Sequence, residues 1–309
     1  AAIRANAAAS GWARASEALT GEGRAEDTRS IQEALGVRFG SEKLQRYVEL
    51  HEIAQDLALQ TGARRGELNL IRTTRSVGDP QSYLQRWHYD AIQLSQALGL
   101  YEAAQKSDVV VAVIDSGVFL RHPDFADRLA PGFDFIEEPA VAIDGDGLDP
   151  DPDDPGYLDA VGNPGYHGTH VAGTVAAAAD NGIGVAGVAG SGGRVRVMPL
   201  RVCGQGGCPS VSIANAIRFA AGETVAGVKA ARRADIINLS LGGDGACPQV
   251  FQDAITAARA AGVLVFAAAG NGYQQGNPAL TPANCEGVIA VAATGPDGSR
   301  AFYSTAQPY

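Results

Sequence analysis

His167 is the residue from which a chemical reading of this chain starts. It opens the run His167-Gly168-Thr169-His170-Val171-Ala172-Gly173-Thr174-Val175-Ala176-Ala177, and from Val171 to Ala179 nothing larger than Val occurs and only Thr174 is polar. Such a run predicts a helix packed closely against its neighbours, with His167 in the first turn. The partial positive charge of a helix N-terminus disfavours imidazolium, so unless a carboxylate compensates, His167 should be a neutral base at pH 7. General-base chemistry needs that form. A His beside a Gly also serves purely structural ends. His167 and His170 could in principle be two metal ligands, but no Cys or carboxylate follows at ligand spacing, which counts against zinc.

Asp115 is the natural partner. It follows the apolar run Val109 to Ile114 and precedes Ser116-Gly117, so its carboxylate should be partly buried and in need of a countercharge. An Asp–His pair fixes the imidazole tautomer and stabilises the ring once it is protonated; the alternative is an Asp that caps a local turn. Asn271, between Gly270 and Gly272 at a predicted strand end, could aim an amide at a developing oxyanion, or be an ordinary turn residue. Asn238-Leu239-Ser240-Leu241-Gly242-Gly243 ends another strand with exposed backbone, an edge on which an extended peptide could pair.

The elements that would position these residues alternate. Strands are expected at 109–114, 195–202, 235–239, 263–269 and 288–293, and helices at 169–179, 211–221 and 249–261. Unbroken apolar strands imply burial on both faces, hence an α/β fold with a mostly parallel sheet and helices on both faces. Ligands gather outside the carboxyl ends of such strands, where Asp115, Ser240 and Asn271 all fall. Residues 1–78 read as a helical N-terminal segment, with Ser41 a plausible N-cap and an apolar stripe through Leu44, Tyr47, Val48, Leu50, Ala54 and Leu57. Gly78-Asp79-Pro80 marks the boundary with 79–309, and a short helical piece is expected at 92–101, after Trp87-His88-Tyr89.

The three segments Val113-Ile114-Asp115-Ser116-Gly117, His167 to Gly173 and Ala268-Ala269-Gly270-Asn271 resemble the subtilisin-like serine peptidases, the subtilases, from about Trp87 onward. The resemblance implies Asp115 as orienting carboxylate, His167 as general base and acid, and Asn271 as oxyanion donor. It also implies Ser240, Leu241 and Gly242 as a wall that pairs with substrate backbone, and His170 as a structural second histidine. The family's nucleophile lies in a Gly-Thr-Ser-Met-Ala-like segment that this sequence lacks, and Ser304, in Ala301-Phe302-Tyr303-Ser304, is a poor substitute. The 309 residues alone are therefore expected to show at most a small residual activity. The family is commonly made as a precursor, which makes 1–78 a candidate propeptide acting in cis.

Composition narrows the remaining classes. A hydrophobic fraction of 46% with 19% charged residues describes a globular core, and no apolar run approaches membrane-spanning length. The net charge of −10 reflects an acidic stretch from Asp134 to Asp159 without Lys or Arg, and nothing resembles a nucleic-acid footprint. Within it Asp144, Asp146, Asp149, Asp151 and Asp153 crowd a Pro/Gly loop whose hard oxygens suit calcium better than zinc or magnesium. It is not an EF-hand, and a solvated acidic loop is the alternative. Some subtilases bind calcium in the loop before the catalytic His, which favours a structural Ca2+. The four cysteines could pair as Cys203 with Cys208 and Cys247 with Cys285, implying an oxidising compartment, or stay reduced in a cytosolic protein. Gly182, Gly184 and Gly187 spell a dinucleotide-like pattern, but after a helix rather than a strand, so it is not read as a cofactor site.

The resulting expectation is a secreted, monomeric subtilisin-like serine endopeptidase acting on polypeptides, with no nucleic-acid or membrane partner. The rivals are a non-catalytic peptide-binding pseudopeptidase and a doubly wound nucleotide-binding protein.

Overall fold

The computed structural model describes residues 79, 86–94, 96–98, 107–158, 164–189 and 194–307. The expected helix in 1–78, with its Ser41 cap, lies outside these residues, as does Asp159. The described residues fall into two units.

One unit contains a helix over Arg86–Ala91. It begins before Trp87-His88-Tyr89 instead of after them, and these three rings meet edge-on, with centroids 5.2 and 4.7 Å apart. Gln93 adopts a left-handed conformation (φ 54°) just past the end of this helix, and residues 94 and 96–98 are again helical, within the helical piece expected at 92–101.

The other unit is built on a six-stranded sheet, formed by β1 (Val109–Asp115), β2 (Phe133–Asp134), β3 (Val195–Arg201), β4 (Ile236–Leu239), β5 (Leu264–Ala268) and β6 (Val288–Val291). The order is β2-β3-β1-β4-β5-β6, and every neighbouring pair is parallel. The strands and the helices α1 (His167–Ala176), α2 (Ser210–Ala220) and α3 (Gln249–Ala260) fall within a few residues of their expected bounds. β2 was not expected, because two residues carry no periodicity to read. It is held in register opposite Leu200 and Arg201.

The apolar run of β1 feeds two cores. Val110, Ala112 and Ile114 pack with Ile213, Ile217, Phe251 and Ile255 of α2 and α3, whereas Val111 and Val113 pack with Ala172 and Ala176 of α1. Alternate residues of one strand thus face opposite layers, which explains why all six are apolar. From β1 the chain builds outward to β3 and β2 on one side and to β4, β5 and β6 on the other. The carboxyl end of β1 is therefore the switch point at which a crevice opens. Both expected disulfides form, Cys203–Cys208 and Cys247–Cys285. No helix among the described residues is long and apolar enough to cross a membrane.

Candidate active site

Asp115 is the last residue of β1 and is buried, while His167 is the first residue of α1 and its side chain is about half exposed, at 51%. The ring's Nδ1 lies 2.7 Å from Asp115 Oδ1 and 2.9 Å from Oδ2. Oδ1 also accepts the Ser116 amide at 2.7 Å. The compensating carboxylate that the sequence made a condition is therefore present. The hydrogen bond to Asp115 holds the His167 pKa above the ordinary histidine value, against desolvation that would lower it, and the Asp154 charge adds to the rise.

Two glycines permit this approach of helix to strand. A Cβ on Gly168 would collide with the Gly117 carbonyl oxygen and sit 3.1 Å from the Asp115 Cβ. Gly117 has φ +94° and no room for a side chain beside the Pro152 carbonyl. Any larger residue at 168 would push His167 away from Asp115. Thr169, the next residue of α1, ties the same junction by accepting the Phe119 amide at 2.9 Å.

A cleft of about 550 Å³ opens over the pair. Ser240, Leu241 and Gly242, past the end of β4, line it, and so do Tyr157 and the disulfide-closed turn from Cys203 to Cys208. The sequence suggested that turn, but nothing in it placed the turn opposite Ser240. The topology does so, because β3 and β4 flank β1 and the segments after them emerge on either side of Asp115. The 203–208 turn closes on itself, Gly204 and Gly207 exchanging backbone hydrogen bonds at 3.0 and 3.2 Å, so it forms a wall of the cleft opposite the 240–242 backbone.

Asn271 follows β5 at the same sheet edge and is exposed, but it is not among the residues that line the cleft. Ser304 is buried, with its hydroxyl accepting the Ala293 amide at 3.0 Å. Among the described residues Ser116 and Ser240 are the serines at the cleft. The Ser116 hydroxyl donates to Asp154 at 2.8 Å, and Ser240 Oγ accepts from the Asn238 side chain at 2.9 Å.

Among the described residues no three His, Cys, Asp or Glu side chains are grouped to hold a metal, Asp144, Asp146, Asp149, Asp151 and Asp153 included. Their oxygens have other work. Asp149 accepts the Asp151 amide, Asp151 the Asp153 amide and Asp153 the Leu120 amide, while Asp144 pairs with Arg201. Arg201, almost wholly buried, also binds Asp134 at 2.5 Å and the Ala142 carbonyl, so the cation in this region is a guanidinium. Burial pushes the Asp134 carboxyl up, to about 7, against the Ile136 amide and that guanidinium.

The glycine pattern at 182, 184 and 187 lies in the loop after α1, and its amides are already taken. Asp180, Asn181 and Gly182 donate their N–H groups to the carboxylate of Asp79, and Val185 donates to Asp124. Carboxylates of the chain itself fill the place a phosphate would need.

A model of the subtilase family matches residues 106–309. An extracellular protease of Xanthomonas campestris pv. campestris is 44% identical over 214 residues, 66% of this chain and 36% of the relative. An extracellular basic protease of Dichelobacter nodosus is 34% identical over 86% of this chain and 46% of its own length. The chain thus spans less than half the length of either relative. Among solved structures, proteases from Pseudoalteromonas arctica superpose with a TM-score of 0.64 at 40% identity, covering 74% of this chain and 68% of theirs.

Proposed function

The chain belongs to the subtilase family, and we propose that it is a secreted serine endopeptidase that hydrolyses peptide bonds by acyl transfer. The observation that carries this reading is the contact of His167 Nδ1 with both oxygens of buried Asp115, at 2.7 and 2.9 Å, beneath an open cleft. With its proton held at Nδ1, the ring leaves Nε2 free to take the proton of an attacking seryl hydroxyl and return it to the leaving amine. Asp115 stabilises the imidazolium in between. Asn271 and backbone N–H groups hold the oxyanion in this reading. Ser240 to Gly242 pair with substrate backbone, and the 203–208 turn walls the opposite side of the cleft.

Secretion is supported by the two disulfides and by the two relatives described as extracellular. In the same reading residues 1–78 are a propeptide, and N-terminal sequencing of secreted material would begin near Asp79; a start far upstream of Ser76 would contradict that part.

A second reading, peptide binding without cleavage, draws on one observation: among the described residues no seryl hydroxyl bonds to His167. Hydrolysis of a denatured protein substrate by the full-length natural protein, and its loss in His167→Ala, separates the two. Peptide binding without turnover by the unaltered protein would favour the second.

A further inference from the structure

Helix α1 begins without a cap of its own: Tyr166, at the N-cap position, makes no side-chain hydrogen bond to it. One of its unpaired amides, that of Gly168, instead donates to Ser116 Oγ at 2.8 Å, across 52 residues of sequence. Ser116 is buried, and its own proton goes to Asp154 Oδ2 at 2.8 Å. Asp154 is buried in turn, with its other oxygen accepting the Gly156 amide at 3.1 Å. The Ser116 hydroxyl therefore cannot rotate freely: donation to Asp154 turns its lone pairs toward Gly168. The Ser116 amide meanwhile holds Asp115 Oδ1.

One residue thus grips both halves of the Asp–His pair, the carboxylate through its backbone and the helix start through its side chain. We propose that Ser116 is a positioning residue for the reaction, capping α1 from the strand that carries Asp115 and so fixing the distance between Asp115 and His167, with Asp154 aligning its hydroxyl. A cap supplied by the helix's own flanking residue would stabilise the helix equally well but would not register it against the strand. This inference rests on the Asp–His pair of the proposed function and names what holds that pair together.

The groups that bear on the His167 charge are few. Asp115 comes from β1 and Asp154 from the acidic loop. Tyr157 lines the same cleft, His170 lies one turn along α1, and neither the 203–208 turn nor Ser240 to Gly242 brings a charge. Because the bond to Asp115 is the largest cause of the raised His167 pKa, loosening that bond should lower it.

The test uses Ser116→Ala in this chain, with the His167 ring followed by NMR titration and the Nδ1 proton by its downfield resonance. The expected result is a titration midpoint moved to lower pH and an Nδ1 proton moved upfield. In the full-length natural protein kcat should fall about tenfold with KM little changed. A variant that melts earlier but keeps both NMR signatures and the wild-type pH profile would reduce Ser116 to a structural cap and overturn the proposal. If Ser116→Ala does not fold, Ser116→Cys keeps the volume while weakening the acceptor, and should shift both signatures the same way; unchanged signatures there overturn it equally. Neither NMR readout needs turnover, so a full-length protein without peptidase activity would defeat the endopeptidase reading and leave this test standing.

Discussion

The junction of β1 with α1 and the loop from Asp144 to Asp153 both concentrate carboxylates, and they use them in opposite ways. At the junction one buried carboxylate faces a titratable ring that is half open to solvent. In the loop the carboxylates close upon backbone amides of the chain and upon a guanidinium buried beyond the reach of any substrate. A carboxylate whose partner is a backbone amide or an Arg faces a group that keeps its own protons near neutral pH and offers none to relay. A carboxylate whose partner is an imidazole takes part in proton transfer. The chemistry of a cluster of acids is decided by what faces it.

The sharpest way to break the contrast is at the ring. His167→Ala should lower peptide hydrolysis by the full-length natural protein by at least about 10³-fold and lower the melting temperature modestly, since it leaves the buried Asp115 carboxylate without its ring partner. Retained activity would remove the distinction between the two regions. On the other side, Arg201→Met should cost about 1–3 kcal/mol of stability, read from denaturant unfolding, because it leaves the buried Asp134 carboxyl and the Ala142 carbonyl without their hydrogen-bonding partner. A cost below about 1 kcal/mol would mean the guanidinium is not what holds the loop.

The disulfides sharpen the comparison at the rim. Cys247–Cys285 closes a separation of 38 residues and Cys203–Cys208 one of 5. On chain entropy, removing the longer link should cost about 1.8 kcal/mol more than removing the shorter. Only loss of the shorter link, which lines the cleft, should raise KM in the full-length protein. Smallest of all, Asp149→Asn and Asp151→Asn should change stability by no more than about 0.5 kcal/mol, since the amide oxygen of Asn still accepts the backbone N–H. A loss of several kcal/mol on either change would mean their charge, not their geometry, matters.

Much of this was already readable in the chain. β1 betrays itself by six apolar residues ending in Asp115, and α1 by small residues that follow a His, so the pair could be foreseen from spacing and polarity. The 1–78 segment and its cap lie outside the described residues. The acidic loop was not legible: five aspartates in sequence suggest a cation site, yet where their oxygens point depends on Asx turns and on an Arg that arrives from β3, some fifty residues later. Ser116 and Asp154 were hidden for the same reason. Each is an unremarked neighbour of a more conspicuous residue, and the bond between them exists only once Asp154 has folded back beside Val118, whose carbonyl accepts the Asp154 amide at 3.2 Å.

Protonation of His167 sets stability against activity. Its folded-state pKa lies above the unfolded value, so the pair's contribution to stability is complete below about pH 6.5 and fades as pH rises through the raised midpoint. Base catalysis requires the neutral ring and grows over that same interval. The most direct test of the account is an NMR titration of the His167 ring in this chain and in Asp115→Asn. The account predicts a midpoint above the ordinary histidine value in the unaltered chain and a clearly lower one in the variant. A midpoint at or below the ordinary value in the unaltered chain, or one that Asp115→Asn leaves in place, would contradict it.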